Sequence, residues 1–293
     1  MASVVIPREV SWSYFSFCII LAIGLITILL RGEWQKARGF DKLILFGPIF
    51  YAAPLACFGT EHFTLATGIA ALVPAWIPWH LFWAYFVGTC FIAAALSLVT
   101  TIQARLTASL LALTFFLFVA LMDAPGCLRH PQNRIFLALM LRELSFSAGP
   151  MAFVASVGHE RATHILATTA RYFIAIAVLV YSVQQFMHGD HVPGIPLEMV
   201  TPTWLFGHGI WTYLTAFIYA VAGTILLVGL KTRWAAICIG LAVFFVVLVV
   251  YVPIAVVGRA SLESLNYMAD TLMFGGTVLM LAAAMPQNRS LKG

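Results

Sequence analysis

Charge is what this chain has least of. Asp, Glu, Lys and Arg make up 9% of its 293 residues, against 62% hydrophobic, where a soluble domain carries about 25% charged residues. A mean hydropathy of +0.98 therefore points to lipid as the main solvent. No stretch between the apolar runs is long enough for a soluble domain, so any chemistry belongs to a helical bundle or its connecting loops. The five cysteines, Cys18, Cys57, Cys90, Cys127 and Cys238, include no C-x-x-C pair. That argues against a thiol–disulfide oxidoreductase and leaves them as small packing residues. Histidines at metal-ligand spacing along one helix are missing too, so no metal site is expected.

Long apolar runs are what the chain has in place of charge. A spanning helix needs about 20 mostly apolar residues to cross roughly 30 Å of hydrocarbon. Nine runs qualify: Ser11–Leu30, Leu43–Gly59, His80–Thr100, Leu106–Met122, Ile135–Val157, Tyr172–Met187, Gly207–Leu227, Trp234–Val257 and Tyr267–Met285. The expected fold is an all-α polytopic bundle in the lipid bilayer. The first run continues into Arg31, Glu33 and Trp34 and shows no small-residue cleavage site, so it reads as a retained helix.

The basic excess of +5 is a matter of topology, with no need for nucleic acid. If the helices alternate, Arg31, Lys36, Arg38, Lys42, Arg105, Arg161, Arg171, Lys231, Arg233, Arg289 and Lys292 share one side, while Arg8, Arg129, Arg134 and Arg259 share the other. The positive-inside rule makes the first side cytoplasmic. The N-terminus is then expected outside and the C-terminus inside an inner (plasma) membrane.

An internal repeat organises the nine runs. Val73–Leu96 lies on Val200–Leu226 so that Trp76 meets Trp204, His80 meets His208, Trp83 meets Trp211 and Tyr85 meets Tyr213, each pair 128 positions apart. Pro125 meets Pro253 in the same register. His62 finds His188 at 126, and RELSFSAG, Arg142–Gly149, lies on ADTLMFGG, Ala269–Gly276, at 127, which pairs Glu143 with Asp270. The chain thus reads as an N-terminal helix and basic loop, residues 1–41, followed by two tandem four-helix units, 42–158 and 159–293. An even number of spans per unit makes the repeats parallel.

Glu143 and Asp270 are the strongest chemical signal, because a carboxylate near the bilayer centre is costly unless paired, protonated or hydrated. They read either as a buried hydrogen-bonded brace or as a proton- or ligand-handling pair. Arg142 adjoins Glu143, yet neighbours on a helix do not face one another. Its partner is expected on another helix, as an anionic substrate or a carboxylate. His62 and His80 flank the first outer loop, and His188, His191 and His208 the second, as interfacial residues or as groups that move protons near neutrality. Trp76, Trp79, Trp83, Tyr85 and Phe86 fit an aromatic belt or, alternatively, a flat slot for a quinone ring. Pro74 and Pro78 break the helical pattern before His80, so Leu65–Pro78 is expected along or dipping into the outer interface.

GTEHF (Gly59–Phe63), VPAWIPWHLFWAYFVG (Val73–Gly88) and LRELSFSAG (Leu141–Gly149) together resemble the DoxX-like integral membrane proteins. The resemblance covers Leu43–Val157 well and Tyr172–Ala284 more weakly. It implies four-helix units and association with thiosulfate- or quinol-linked respiratory oxidoreductases. On that basis the expected function is a membrane redox component acting with a quinone or a small sulfur reductant, alongside a redox partner protein. His62, His80, Arg142 and Glu143 would bind the reactant and relay protons; Trp76, Trp83, His208 and Asp270 would line the site. Two other readings stand beside it, a proton-coupled transporter or channel and a non-catalytic membrane subunit of a respiratory or redox-stress complex.

Overall fold

A computed structural model describes residues 6–158 and 160–286, and over them the chain is all-helical. Of the charges counted for topology, Arg289 and Lys292 lie outside the described residues, as does the side chain of Arg161. Among the described residues nine helices are long and apolar enough to cross a membrane: α1 (Arg8–Leu30), α2 (Asp41–Thr64), α3 (His80–Thr100), α4 (Ala104–Arg129), α5 (Arg134–Val157), α6 (Ala162–Met187), α7 (Ile210–Val228), α8 (Thr232–Val257) and α9 (Leu262–Ala284). In lipid a helix is the natural solution, because it satisfies its backbone groups internally.

Several helices outrun their apolar segments. α2 continues past Gly59 to enclose Glu61 and His62, and α9 begins at Leu262, ahead of the expected Tyr267. Polar residues are accommodated there by packing against other helices, which hydropathy alone does not register. α5 and α9 also have side-chain N-caps: Asn133 accepts from the Ile135 amide and Ser261 from the Ser264 amide, each satisfying a donor that the helix leaves open.

α9 lies at the centre of the bundle and α1 at its edge. Of the most apolar window of each, 83% is buried in α9 and 28% in α1. α9 crosses α5, each of them is flanked by its sequence neighbours α8 and α4, and α2 packs on α9 while α6 packs on α5. α1 leans on α2 and α3. Small residues set how close these crossings come. A Cβ on Gly276 would sit 2.5 Å from the Tyr51 amide nitrogen and 2.7 Å from the Gly47 carbonyl oxygen of α2, and one on Gly149 would sit 2.7 Å from Thr277 Oγ1. Tyr51 and Tyr181, both fully buried, donate from α2 and α6 to the carbonyls of Phe146 and Ala138 on α5.

Local backbone features recur 128 residues apart. π-helical turns occupy Val119–Asp123 and Val247–Tyr251. Each runs into a proline, Pro125 or Pro253, whose missing N–H and ring clash with the preceding turn favour a widened helix. Positive φ angles fall at Trp79 and Gly207, at Thr101 and Gly229, and at Gln103 and Lys231. The Trp83 indole N–H donates to the Pro78 carbonyl at 3.1 Å and that of Trp211 to the Phe206 carbonyl at 2.7 Å.

The two longer connections at the end of the bundle where α1 begins are unlike each other. Residues 65–79 contain one short helix, Ala66–Ala70, and remain largely exposed, with Trp76 at 70% and Trp79 at 78%. Residues 188–209 fold inward, and Val192, Ile195 and Leu197 are buried. This plug is pinned by the Tyr251 hydroxyl on the Pro193 carbonyl, by Arg134 on the Pro196 and Leu197 carbonyls, and by the amides of Glu198 and Met199 on the Tyr267 hydroxyl oxygen. At its surface the His191 ring hydrogen-bonds the Asp190 carboxylate and holds that group below the usual carboxylate range.

The close crossing of α9 and α2 has a direct consequence. Gly276→Ala should lower the unfolding midpoint in detergent, at a cost of roughly 1–3 kcal/mol for overpacking. Gly68→Ala should leave it unchanged, since a Cβ there meets nothing within 4 Å. Equal midpoints would contradict the crossing.

Candidate functional site

The α5–α9 crossing carries an ionic cluster. Arg142 follows the start of α5 at Arg134, and Asp270 follows the start of α9 at Leu262, by the same eight positions, which is about 12 Å of helix rise. Asp270 is thus as deep as Arg142, one turn deeper than a helix starting at Tyr267 would have placed it. Arg142 Nη1 donates to Asp270 Oδ2 and Arg142 Nη2 to Glu143 Oε1, both at 2.8 Å. The side chains of Arg142, Glu143 and Asp270 are 21%, 14% and 8% exposed, so the cluster is largely dry but not sealed. The Arg142 guanidinium also lies over the Phe146 ring, 6.0 Å from its centroid.

The expected carboxylate partner on another helix is there, but the expectation that Arg142 does not meet its own helix neighbour needs correction. It does reach Asp270 across the crossing, and its long side chain also curls back to its neighbour Glu143. The guanidinium is therefore occupied by two carboxylates, which disfavours it as a free anchor for an anionic substrate. Ionised, the three groups sum to one negative charge. Arg142 Nε, Glu143 Oε2 and Asp123 Oδ2 are buried with no protein partner. The π turn of α4 brings Asp123 within electrostatic reach of Arg142 and Glu143.

A second polar group adjoins this cluster along α9. Asn266, one turn before Asp270, donates from Nδ2 to Glu61 Oε2 at 3.2 Å, and the Cys57 thiol lies 3.5 Å from Glu61 Oε1. Glu61 is 7% exposed, and no cation contacts it among the described residues. Glu61 was missed as a site residue because an α2 ending at Gly59 leaves it in a loop. The signal that would have found it is its spacing: Cys57 and Glu61 are four apart and share one helical face. Asp123 was missed because the π turn that turns it inward is marked in the sequence only by Pro125.

The remaining candidates lie elsewhere. His62 Nδ1 is 2.7 Å from the Phe58 carbonyl and must carry the proton there; its ring packs against Phe91 where Gly59 and Gly88 bring α2 and α3 together. His80 opens α3 half-buried, and His208 is exposed before α7. Trp76 is exposed, and Trp83 packs edge-on against Phe82 and Phe86. Among the described residues none of these five is hydrogen-bonded to the ionic cluster. Arg142, Glu143 and Asp270 are brought together; His62, His80, His208, Trp76 and Trp83 do not converge on them.

No family model, curated protein or solved structure matches this chain.

Removing the guanidinium leaves two carboxylates facing each other away from water. Arg142→Met should destabilise the protein by about 3–5 kcal/mol, the usual cost of stranding a buried charge. Asp270→Asn on that background should restore part of the loss. Unfolding measurements on the two single variants and the double variant check this, and strictly additive effects would show that the pair does not interact.

Proposed function

We propose that this chain is a DoxX-like inner-membrane protein of two tandem parallel four-helix units, 42–158 and 159–293, preceded by the helix of residues 1–41, and that it moves protons. The tandem reading is supported by the π turns, the positive-φ positions, the indole hydrogen bonds and the N-caps that recur 128 residues apart. It is supported equally by the packing, in which the first helix of each unit lies on the last helix of the other. The basic residues concentrated at the ends where α1 finishes and α2 begins favour a cytoplasmic C-terminus. The DoxX-like resemblance rests on the three motifs that suggested it.

The observation that carries the proton reading is one guanidinium shared by two carboxylates at the α5–α9 crossing. A net charge in hydrocarbon is expensive, about 2.5–3.5 kcal/mol per Asp or Arg even on the translocon scale. Uptake of one proton or one monovalent cation neutralises the cluster. Release recreates the charge, so occupancy is coupled to the electrostatics of the crossing. The partial exposure of Arg142 and Glu143 supplies an entry, and the ladder Asp270, Asn266, Glu61 along α9 and α2 supplies a direction. A proton-coupled transporter or channel is the function this arrangement supports best.

The redox reading keeps one specific support. LRELSFSAG, a motif that carries the DoxX-like resemblance, is also the segment that holds Arg142 and Glu143. In that version Glu143 exchanges protons with a quinone or sulfur reductant, and a partner protein supplies electrons.

Proteoliposomes with a potassium gradient clamped by valinomycin and a pH dye inside separate the two. The expected result is proton entry with the wild type and its loss, at least tenfold, in Glu143→Gln and in Asp270→Asn. Unchanged flux in both variants would sink the proton reading. A stoichiometric quinone in lipid extracts of the purified protein, lost in Glu143→Gln, would establish the redox one instead.

A further inference from the structure

At the opposite end of the bundle from the plug, the last two turns of α1 and the first turns of α2 border a cavity of about 600 Å³, within the roughly 300–1,000 Å³ that holds a small ligand. Its depth is apolar, lined by Ile28, Ile49, Leu98 and Phe153, and its mouth is polar, with Arg31, Gln103 and Arg105. Neither the ionic cluster nor the Glu61 group contributes to it. α1 stands outside the two sets of four helices, so the recurrence at 128 residues does not generate this cavity twice.

Charge at the mouth favours an anion. Two guanidiniums, Arg31 and Arg105, face one lining carboxylate, Glu33. Arg31 forms no ion pair among the described residues, and Arg105 pairs only with Glu160, at 2.9 Å, with side chains 48% and 65% exposed. Such an exposed pair is weak and readily exchanged for a phosphate oxygen. Lys36 and Arg38 on the connection from α1, and Lys42 in the first turn of α2, lie at the same end of the bundle. The backbone supplies an independent observation. The turn that presents Gln103 and Arg105 holds Thr101 at φ 63° and Gln103 at φ 54°, and both residues line the cavity. A β-branched residue in the left-handed region is a true outlier, and the position 128 residues on, with the same backbone, is Gly229. Strain kept where a glycine would relieve it is found where a surface is shaped for binding.

We propose that this cavity binds one anionic phospholipid from the adjoining leaflet, an acyl chain running between α1 and α9 and the phosphate meeting Arg31 and Arg105. A free phosphate would gain nothing from the apolar depth, and a zwitterionic lipid would bring its own cation against the two guanidiniums. Each basic residue near a charged lipid surface is worth roughly fivefold in affinity, so the preference over a zwitterionic lipid should reach on the order of tenfold or more.

Native mass spectrometry of the full chain in micelles holding equal phosphatidylglycerol and phosphatidylcholine tests this. One phosphatidylglycerol should be retained per chain, at about tenfold preference. Arg31→Gln with Arg105→Gln should abolish the preference. Ser156→Trp, which fills the mouth, and independently Ala283→Leu should remove the retained lipid, at an unfolding midpoint near the wild type for at least one of the two. Equal retention of both lipids by the wild type, or occupancy indifferent to every variant, as for lipid held anywhere on the belt, would overturn the proposal. So would equal stabilisation by inorganic phosphate alone, which would show that only the head is recognised.

Discussion

The constraint on which this molecule turns is the presence of two carboxylates and one guanidinium between crossing helices in a low-dielectric medium. Water screens the largely buried Arg142 contacts to Glu143 and Asp270 only weakly, so they hold the charges in place. The rest of the core is arranged to make that crossing close. Gly149 lets α5 approach Thr277 on α9, and Gly276 lets α2 lie almost backbone to backbone on the far side of α9. α6 closes on α5, with Tyr181 donating to Ala138 one turn before Arg142. Looser packing would admit water, which would screen these ion pairs.

The backbone features that recur 128 residues apart carry different side chains. At that spacing Arg142 corresponds to Asp270, its own ion-pair partner, and Asp123 to Tyr251 in the π turns. In the first half the turn offers an unpartnered carboxylate oxygen toward the cluster; in the second it offers a hydroxyl that pins the plug through Pro193. The connection of residues 65–79 stays exposed, whereas that of residues 188–209 is buried.

Much of this was legible in the residues, for physical reasons that can be named. Lipid leaves helices as the answer for apolar runs of spanning length, so nine spans could be counted from hydropathy alone. Rare residue types carry register, which is how the matches of Trp76, His80, Trp83 and Tyr85 at 128 positions suggested a repeat; the 127-position register that matched Glu143 to Asp270 is one short of the 128 that separates the starts of α5 and α9. Three things were not legible. The curl of Arg142 onto its neighbour depends on a rotamer, which helix geometry by itself does not set. The inward turn of Asp123 depends on a π turn that the proline signals only as a break. The bond from Glu61 to Asn266 depends on α2 running past its apolar stretch and on which helix lies beside it. The plug of residues 188–209 escaped notice for a related reason: its order comes from side chains of α5, α8 and α9 that reach its backbone, and from Gln185 of α6, whose amide bonds both the carbonyl and the N–H of Gly194, not from a pattern of its own.

The most direct test of the central claim is the protonation of the cluster itself, read as the carboxylic carbonyl stretch in infrared difference spectra of the reconstituted protein between alkaline and acid buffer. The account predicts a reversible protonated-carboxyl band in the wild type that is missing from the Glu143→Gln/Asp270→Asn double variant. Identical difference spectra for the two proteins would show that the cluster takes up no proton and is only a brace between helices.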